Sequence, residues 1–183
     1  FHMIDAKEGL AEQDKKIISH ATEQGLGVIF VLNKWDTMDQ DKKTLKDTVK
    51  SMKVMFGQME YAPILALSAL EGTGIKELLN AALSLYDQLS KKIETSALNM
   101  ALNDWVTASP PPQGRANKFK IRYIVQTQAN PVKFLLFATR PEAVTDSYVA
   151  YIRNRIRKDL GFEQIPVVVE VKGSRKKWED REE

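Results

Sequence analysis

The chain has 183 residues, 43% of them apolar and 28% charged, with a formal net charge of +3 at pH 7. That is the make-up of a folded chain of one domain or two small ones, not of a disordered segment. The lack of cysteine excludes a disulfide framework and thiolate zinc sites, and two isolated histidines, His2 and His20, give no sign of a metal site.

Phe1–Ala6 opens as the last part of a strand. Glu12 to Glu23 predicts a helix, with Ile17, Ile18 and Ala21 on one face and Gly25 and Gly27 to end it. Val28-Ile29-Phe30-Val31-Leu32 is an apolar, largely β-branched run, expected as a strand buried on both faces. It leads directly into Asn33-Lys34-Trp35-Asp36. Asp41 to Met59 predicts a helix, since Leu45, Val49, Met52, Met55, Phe56 and Met59 recur at three and four. Pro63–Leu67 is a second short apolar strand, ending in Ser68-Ala69-Leu70. Glu71-Gly72-Thr73-Gly74 then turns the chain into a long amphipathic helix from Ile75 to about Ile93. The order β–α–β–α–β–α is that of a doubly wound α/β sheet.

In such a sheet ligands gather at the carboxyl ends of the strands, which is where these polar residues fall. Asn33-Lys34-x-Asp36 has a spacing suited to guanine. Asp36 can accept from the ring N1–H and the exocyclic amino group together, Asn33 can brace the loop and reach the other edge, and the stem of Lys34 can lie along the ring face. An ordinary polar loop capping the next helix is the competing reading of the tetrapeptide alone. Ser68-Ala69-Leu70 tips the balance, because a small residue after a strand lets the Ala69 N–H approach the guanine O6.

Thr95 or Ser96 is expected to cap a further helix, Ala97–Thr107, with Leu98, Ala101, Leu102, Trp105 and Val106 on one face. The predicted domain boundary lies here, dividing the chain into 1–94, 95–173 and a charged tail at 174–183. After an extended Pro110–Gly114 loop, Phe119–Gln128 alternates. Phe119, Ile121, Tyr123 and Val125 are expected inward, and Lys118, Lys120, Arg122 and Gln126 outward. Lys133–Ala138 predicts the next strand. A helix from Thr145 or Asp146 to Leu160 follows, with Val149, Ile152, Ile156 and Leu160 inward, Arg153, Arg157 and Lys158 outward, and Arg155 beside them. Val167, Val169 and Val171 mark a last strand, giving α–β–β–α–β with both helices on one side of the sheet. The second half is the basic one and the part suited to a polyanion. The same excess is common on proteins that never touch nucleic acid.

Strand–NKxD–helix–strand–SAx–helix resembles the second half of a translation-factor-type P-loop GTPase. A wider set of residues is similar to the Der (EngA) family of bacterial GTPases: Asp5-Ala6-x-Glu8-Gly9-x-x-x-Gln13-Asp14, Asn33-Lys34-Trp35-Asp36, Ser109-Pro110-Pro111-Pro112, Tyr123 with Gln126, Asn130-Pro131 before Phe134-x-x-Phe137, and Ser147-Tyr148-x-x-Tyr151-x-x-Asn154-x-x-Arg157 through Gly161-Phe162 to Pro166. The family has two tandem G domains and a C-terminal KH-like domain and is associated with large-subunit maturation. The resemblance covers nearly the whole chain. It implies a C-terminal piece, holding the back half of the second G domain and the KH-like domain. Asn33, Lys34, Asp36, Ser68 and Ala69 carry over as guanine contacts, with Leu70 completing the second loop.

The sequence contains no G-x-x-x-x-G-K-[ST] and no upstream Asp-x-x-Gly, so GTP hydrolysis by this chain alone is not expected. GTP or GDP with Mg is expected in the longer protein and none tightly bound here. The KH-like part has no Gly-x-x-Gly loop, the backbone clamp of true KH domains. Lys118, Lys120, Arg122, Arg153, Arg157 and Lys158 are then candidates for rRNA phosphates, for intramolecular docking on a G domain, or for a plain solvated face. The large ribosomal subunit or its rRNA is the implied partner. With no run of membrane-spanning length and no signal-peptide pattern, a cytoplasmic setting without a membrane partner is expected. The alternative is a KH-like protein- or RNA-interaction module with no nucleotide role of its own.

Overall fold

A computed structural model describes residues 1–38, 42–112 and 118–174. The expected helix start at Asp41, the end of the Pro110–Gly114 loop and nearly all of the charged tail lie outside these residues. The chain forms two compact units, Phe1–Ser90 with Glu163–Pro166, and Lys91–Phe162 with Val167 onward.

In the first unit, strands β1 (His2–Asp5), β2 (Phe30–Asn33) and β3 (Ile64–Ala66) form a parallel sheet in the order β1-β2-β3. Helix α1 (Glu12–Glu23) follows β1, α2 (Lys42–Met55) follows β2 and α3 (Ile75–Ser90) follows β3. Parallel neighbours need such crossovers, and a sheet covered on both faces explains why β2 reads as an unbroken apolar run. One core joins Ile4, Phe30 and Leu32 of the sheet to Ile18 of α1, Met52 of α2, and Phe56 and Met59 just beyond it. Phe30 stacks on Phe56 with centroids 5.2 Å apart. Ile29, Val31 and Leu67, at the alternate positions, are buried as well, and α3 buries Leu78 and Leu85. The predicted Asp41–Met59 helix stops at Met55, and a 3-10 turn at Gly57–Met59 carries the chain on. α3 likewise stops at Ser90 rather than Ile93.

In the second unit, β4 (Ile121–Gln128) and β5 (Val132–Ala138) are antiparallel, and β6 (Val167–Gly173) runs parallel to β5. Helices α4 (Thr95–Ala108) and α5 (Asp146–Leu160) pack against this sheet. Its core holds Leu98, Leu102 and Trp105 of α4 and Tyr148, Ile152 and Ile156 of α5. Ile124, Phe134, Leu136 and Phe162 complete it. Thr145 caps α5, its hydroxyl accepting the Tyr148 N–H at 3.3 Å, and Gly161 ends the helix at φ 71°. The cap expected from Thr95 or Ser96 does not form. Glu94 holds the N-cap position of α4 without a side-chain bond.

The expected alternation holds at Phe119, which is buried, and fails beyond Ile121 for a physical reason. Register shifts lie between Ile121 and Tyr123 and between Gln126 and Gln128, and each turns the following side chains to the other face. Ile124, not Tyr123, is the fully buried residue, while Tyr123 is 42% exposed and stacks on Phe137 at 4.3 Å. Gln126, expected outward, is half-buried. It accepts the Ile93 N–H at 2.8 Å and donates to the Lys91 carbonyl at 2.8 Å. Asn99 does the same for Ile124, donating to its carbonyl and accepting its N–H, both at 2.9 Å. The Asn99 amide thus supplies part of the hydrogen bonding a neighbouring strand would give β4, while the Gln126 amide satisfies backbone groups of Lys91 and Ile93. Among the described residues no helix is long and apolar enough to cross a membrane.

Candidate functional site

The carboxyl ends of β1, β2 and β3 are tied to one another by backbone and side-chain bonds. The Ala6 N–H donates to the Asn33 carbonyl at 2.9 Å, the Leu67 N–H to the Leu32 carbonyl at 2.9 Å, and the Trp35 N–H to the Leu67 carbonyl at 3.1 Å. Parallel register sets Asp5 opposite Asn33. A short 3-10 turn, Trp35–Thr37, begins one residue after β2, so Asp36, half-buried, sits on a tight turn at the strand end and not inside α2.

Asn33 joins the two candidate loops. Its Oδ1 accepts the Ala69 N–H at 3.0 Å, and its Nδ2 lies 3.7 Å from the Met3 Sδ. The amide expected to reach a guanine O6 therefore has a protein acceptor here. Ser68 is the buried member of the second loop, 1% exposed. Its N–H donates to the Thr73 carbonyl at 3.1 Å, and its hydroxyl accepts the Glu71 N–H at 3.2 Å. Gly74 closes that loop at φ 79°, where an added Cβ would lie 2.6 Å from the Ala66 carbonyl oxygen. Only glycine fits that approach. Leu70, by contrast, is 89% exposed, with its side chain in solvent.

Lys34 adopts a left-handed backbone, φ 59° and ψ 34°, the one non-glycine positive φ among the described residues. Its Nζ lies 2.7 Å from Asp5 Oδ2. The bond to Lys34, and next the one from the Lys7 N–H, hold the Asp5 carboxyl below its ordinary 3.8. The same carboxylate raises Lys34 above 10.5. In the sequence Asp5 stands out only as part of a longer motif. Its pairing depends on the β1–β2 register, which no local pattern reveals.

The six basic candidates belong to the second unit. Lys118, Lys120, Arg122 and Lys158 are exposed, whereas Arg153 and Arg157 are half-buried on α5. Lys118 and Lys120 precede β4 instead of lying within it. Arg155 has a structural partner. It pairs with Asp159 at 2.7 Å, and Asp159 Oδ2 also accepts the Trp105 indole N–H at 2.7 Å.

Residues 92–172 match the family model for the KH-domain-like region of EngA bacterial GTPase enzymes, C-terminal, and residues 1–88 match the elongation factor Tu GTP-binding domain. A protein named GTPase Der from Treponema pallidum is 42% identical over 171 residues, covering 93% of this chain and 37% of the relative. GTPase Der of Desulfitobacterium hafniense is 37% identical over 180 residues, covering 98% of this chain and 40% of the relative. The chain thus spans about two fifths of the length of the curated relatives it matches. A solved structure of Aquifex aeolicus Era bound to GDP and aluminium fluoride is 20% identical, with a TM-score of 0.41, covering 98% of this chain and 66% of that one.

Proposed function

The chain belongs to the Der (EngA) family of bacterial GTPases, and from that membership we propose that its first unit supplies the guanine-reading part of a GTP-binding domain. The observation that carries the reading is the Asn33–Ala69 hydrogen bond, which joins the end of β2 to the loop after β3. Asp36 reads the N1–H and amino edge of the base, Asn33 braces the two loops, and Lys34 lies along the ring. Ala69 turns its N–H from Asn33 to O6, or shares it between them. Ser68 holds the loop's shape, and Leu70 covers the outer side.

Phosphate and Mg contacts, and hydrolysis, fall outside this chain's own residues. Base contacts alone give weak binding. A few charge-assisted hydrogen bonds contribute about 1.5–3 kcal/mol each, against about 4–15 kcal/mol for association. Isolated, the chain binds GDP no tighter than millimolar and leaves GTP intact. A fluorescent-GDP titration yielding a micromolar Kd would overturn this.

The test of the site itself uses a Der protein of the relatives' full length carrying this segment. Asp36→Asn weakens GDP by about 30- to 160-fold, the loss of about 2–3 kcal/mol of charge-assisted bonding, and relaxes discrimination against xanthine nucleotides. Unchanged selectivity would remove Asp36 from the site. The second unit serves large-subunit assembly, with Lys118, Lys120, Arg122, Arg153, Arg157 and Lys158 as contacts to rRNA phosphates or to a G domain. Binding to rRNA that falls steeply with added salt, and less steeply after Lys118→Glu and Lys120→Glu, supports the RNA role. No binding at low salt assigns these residues to docking.

A further inference from the structure

We infer that Asp5 is a positioning residue of the base site, holding Lys34 so that its methylene stem is presented to the ring before a nucleotide arrives. The inference rests on the reading of Asn33–Asp36 as a guanine site. Its basis is the asymmetry of the pair. Asp5 is the fixed partner: Oδ1 accepts the Lys7 N–H at 2.9 Å and the Glu8 N–H at 3.3 Å, leaving Oδ2 for Lys34. Strand pairing on β1 and the Ala6 N–H bond to the Asn33 carbonyl hold its backbone. Asp5 is 19% exposed at its side chain and Lys34 61%, so the carboxylate is sheltered while the lysine stem stays open to a ligand.

Lys34 needs such a partner. Its backbone is in a region that side chains disfavour. The Thr37 N–H and hydroxyl, at 3.0 and 2.8 Å from its carbonyl, hold only the main chain. A free lysine samples many rotamers, and a stem meant to cover a ring must first lose them. An exposed ion pair adds little to fold stability. What it does here is remove that freedom ahead of binding, which is the physical content of preorganisation. The lowered Asp5 and raised Lys34 titrations agree with this geometry.

The experiment is a fluorescent-GDP titration of a Der protein of the relatives' full length carrying this segment. Asp5→Asn is expected to weaken GDP about three- to tenfold, and Asp5→Glu to restore part of the loss. In a Lys34→Met background, Asp5→Asn is expected to change nothing further. An Asp5→Asn loss that persists in that background would mean that Asp5 acts only through its own turn, and would overturn the inference. An unchanged affinity in Asp5→Asn would do so as well, while leaving the guanine reading intact. Guanine selectivity left unchanged by Asp36→Asn in the same protein would remove the guanine reading itself, and the inference with it.

Discussion

Asp5 and Lys34 titrate in opposite directions for one cause. Because Asp5 titrates lower in the folded chain than its ordinary 3.8, its contribution to stability is present above that value and fades as pH falls through the lowered midpoint. Lys34 is the mirror case, contributing below 10.5 and fading as pH rises through its raised midpoint. A carbon-detected titration of the Asp5 carboxyl is expected to give a midpoint under 3.8, and Lys34→Met to return it toward that value. Tyr148 gives a third handle. Burial pushes its phenol up to about 12 from 10.0, and its hydroxyl donates to the Ser109 carbonyl at 3.0 Å. Its share of stability is therefore complete below pH 10 and lost as pH rises toward 12. Ultraviolet titration should find a tyrosine step near pH 12, and Tyr148→Phe should remove it. Asn33, Lys34 and Asp36 were legible as a group because their chemistry is local to four residues. The Asp5 partnership was not, since it exists only through strand register.

Elements were recovered well where burial is two-sided or strictly helical. The β2 run and the helices α1, α3 and α5 follow from periodicity alone. Phe119 is buried as expected, but beyond it both faces of β4 carry apolar residues, so Ile121, Tyr123 and Val125 make an alternation as good as the true one, centred on Ile124. The register shifts that decide between them leave no local trace. Asn99 was missed for a related reason, because an amide on a helix does not announce that it will stand in for a strand. The corrected register is testable. Ile124→Ala is expected to cost about 2–5 kcal/mol as a cavity in the core, and Tyr123→Ser well under half of that, by urea denaturation. Asn99→Ala leaves the Ile124 N–H and carbonyl without this partner, at about 2–4 kcal/mol for the two groups. Gly74→Ala forces a Cβ into the Ala66 carbonyl and is expected to destabilise the first unit by about 2 kcal/mol or more.

At the scale of the molecule, each unit has its own sheet and its own core. A lesion in one core is therefore expected to shift one unfolding transition. Phe30→Ala, at about 3–5 kcal/mol, should lower the midpoint reported by first-unit amides in hydrogen exchange much more than that reported by β5. A single shared transition moving as a whole would argue that the two cores unfold together. The KH-like domain was legible from its α–β–β–α–β order and from motif residues spread along it. The short Glu163–Pro166 segment, which belongs with the first unit despite lying between α5 and β6, was not foreseen, because nothing in its composition separates it from its neighbours.

The bond between the Asn33 side chain and the Ala69 amide has a thermodynamic consequence. An incoming purine oxygen would replace an acceptor already in place, so the number of bonds to that amide would barely change on arrival. Calorimetry on a protein of the relatives' full length should then find little of the binding enthalpy removed by Asn33→Ala. The penalty should fall on entropy, as two loops that had been fastened together must find each other again.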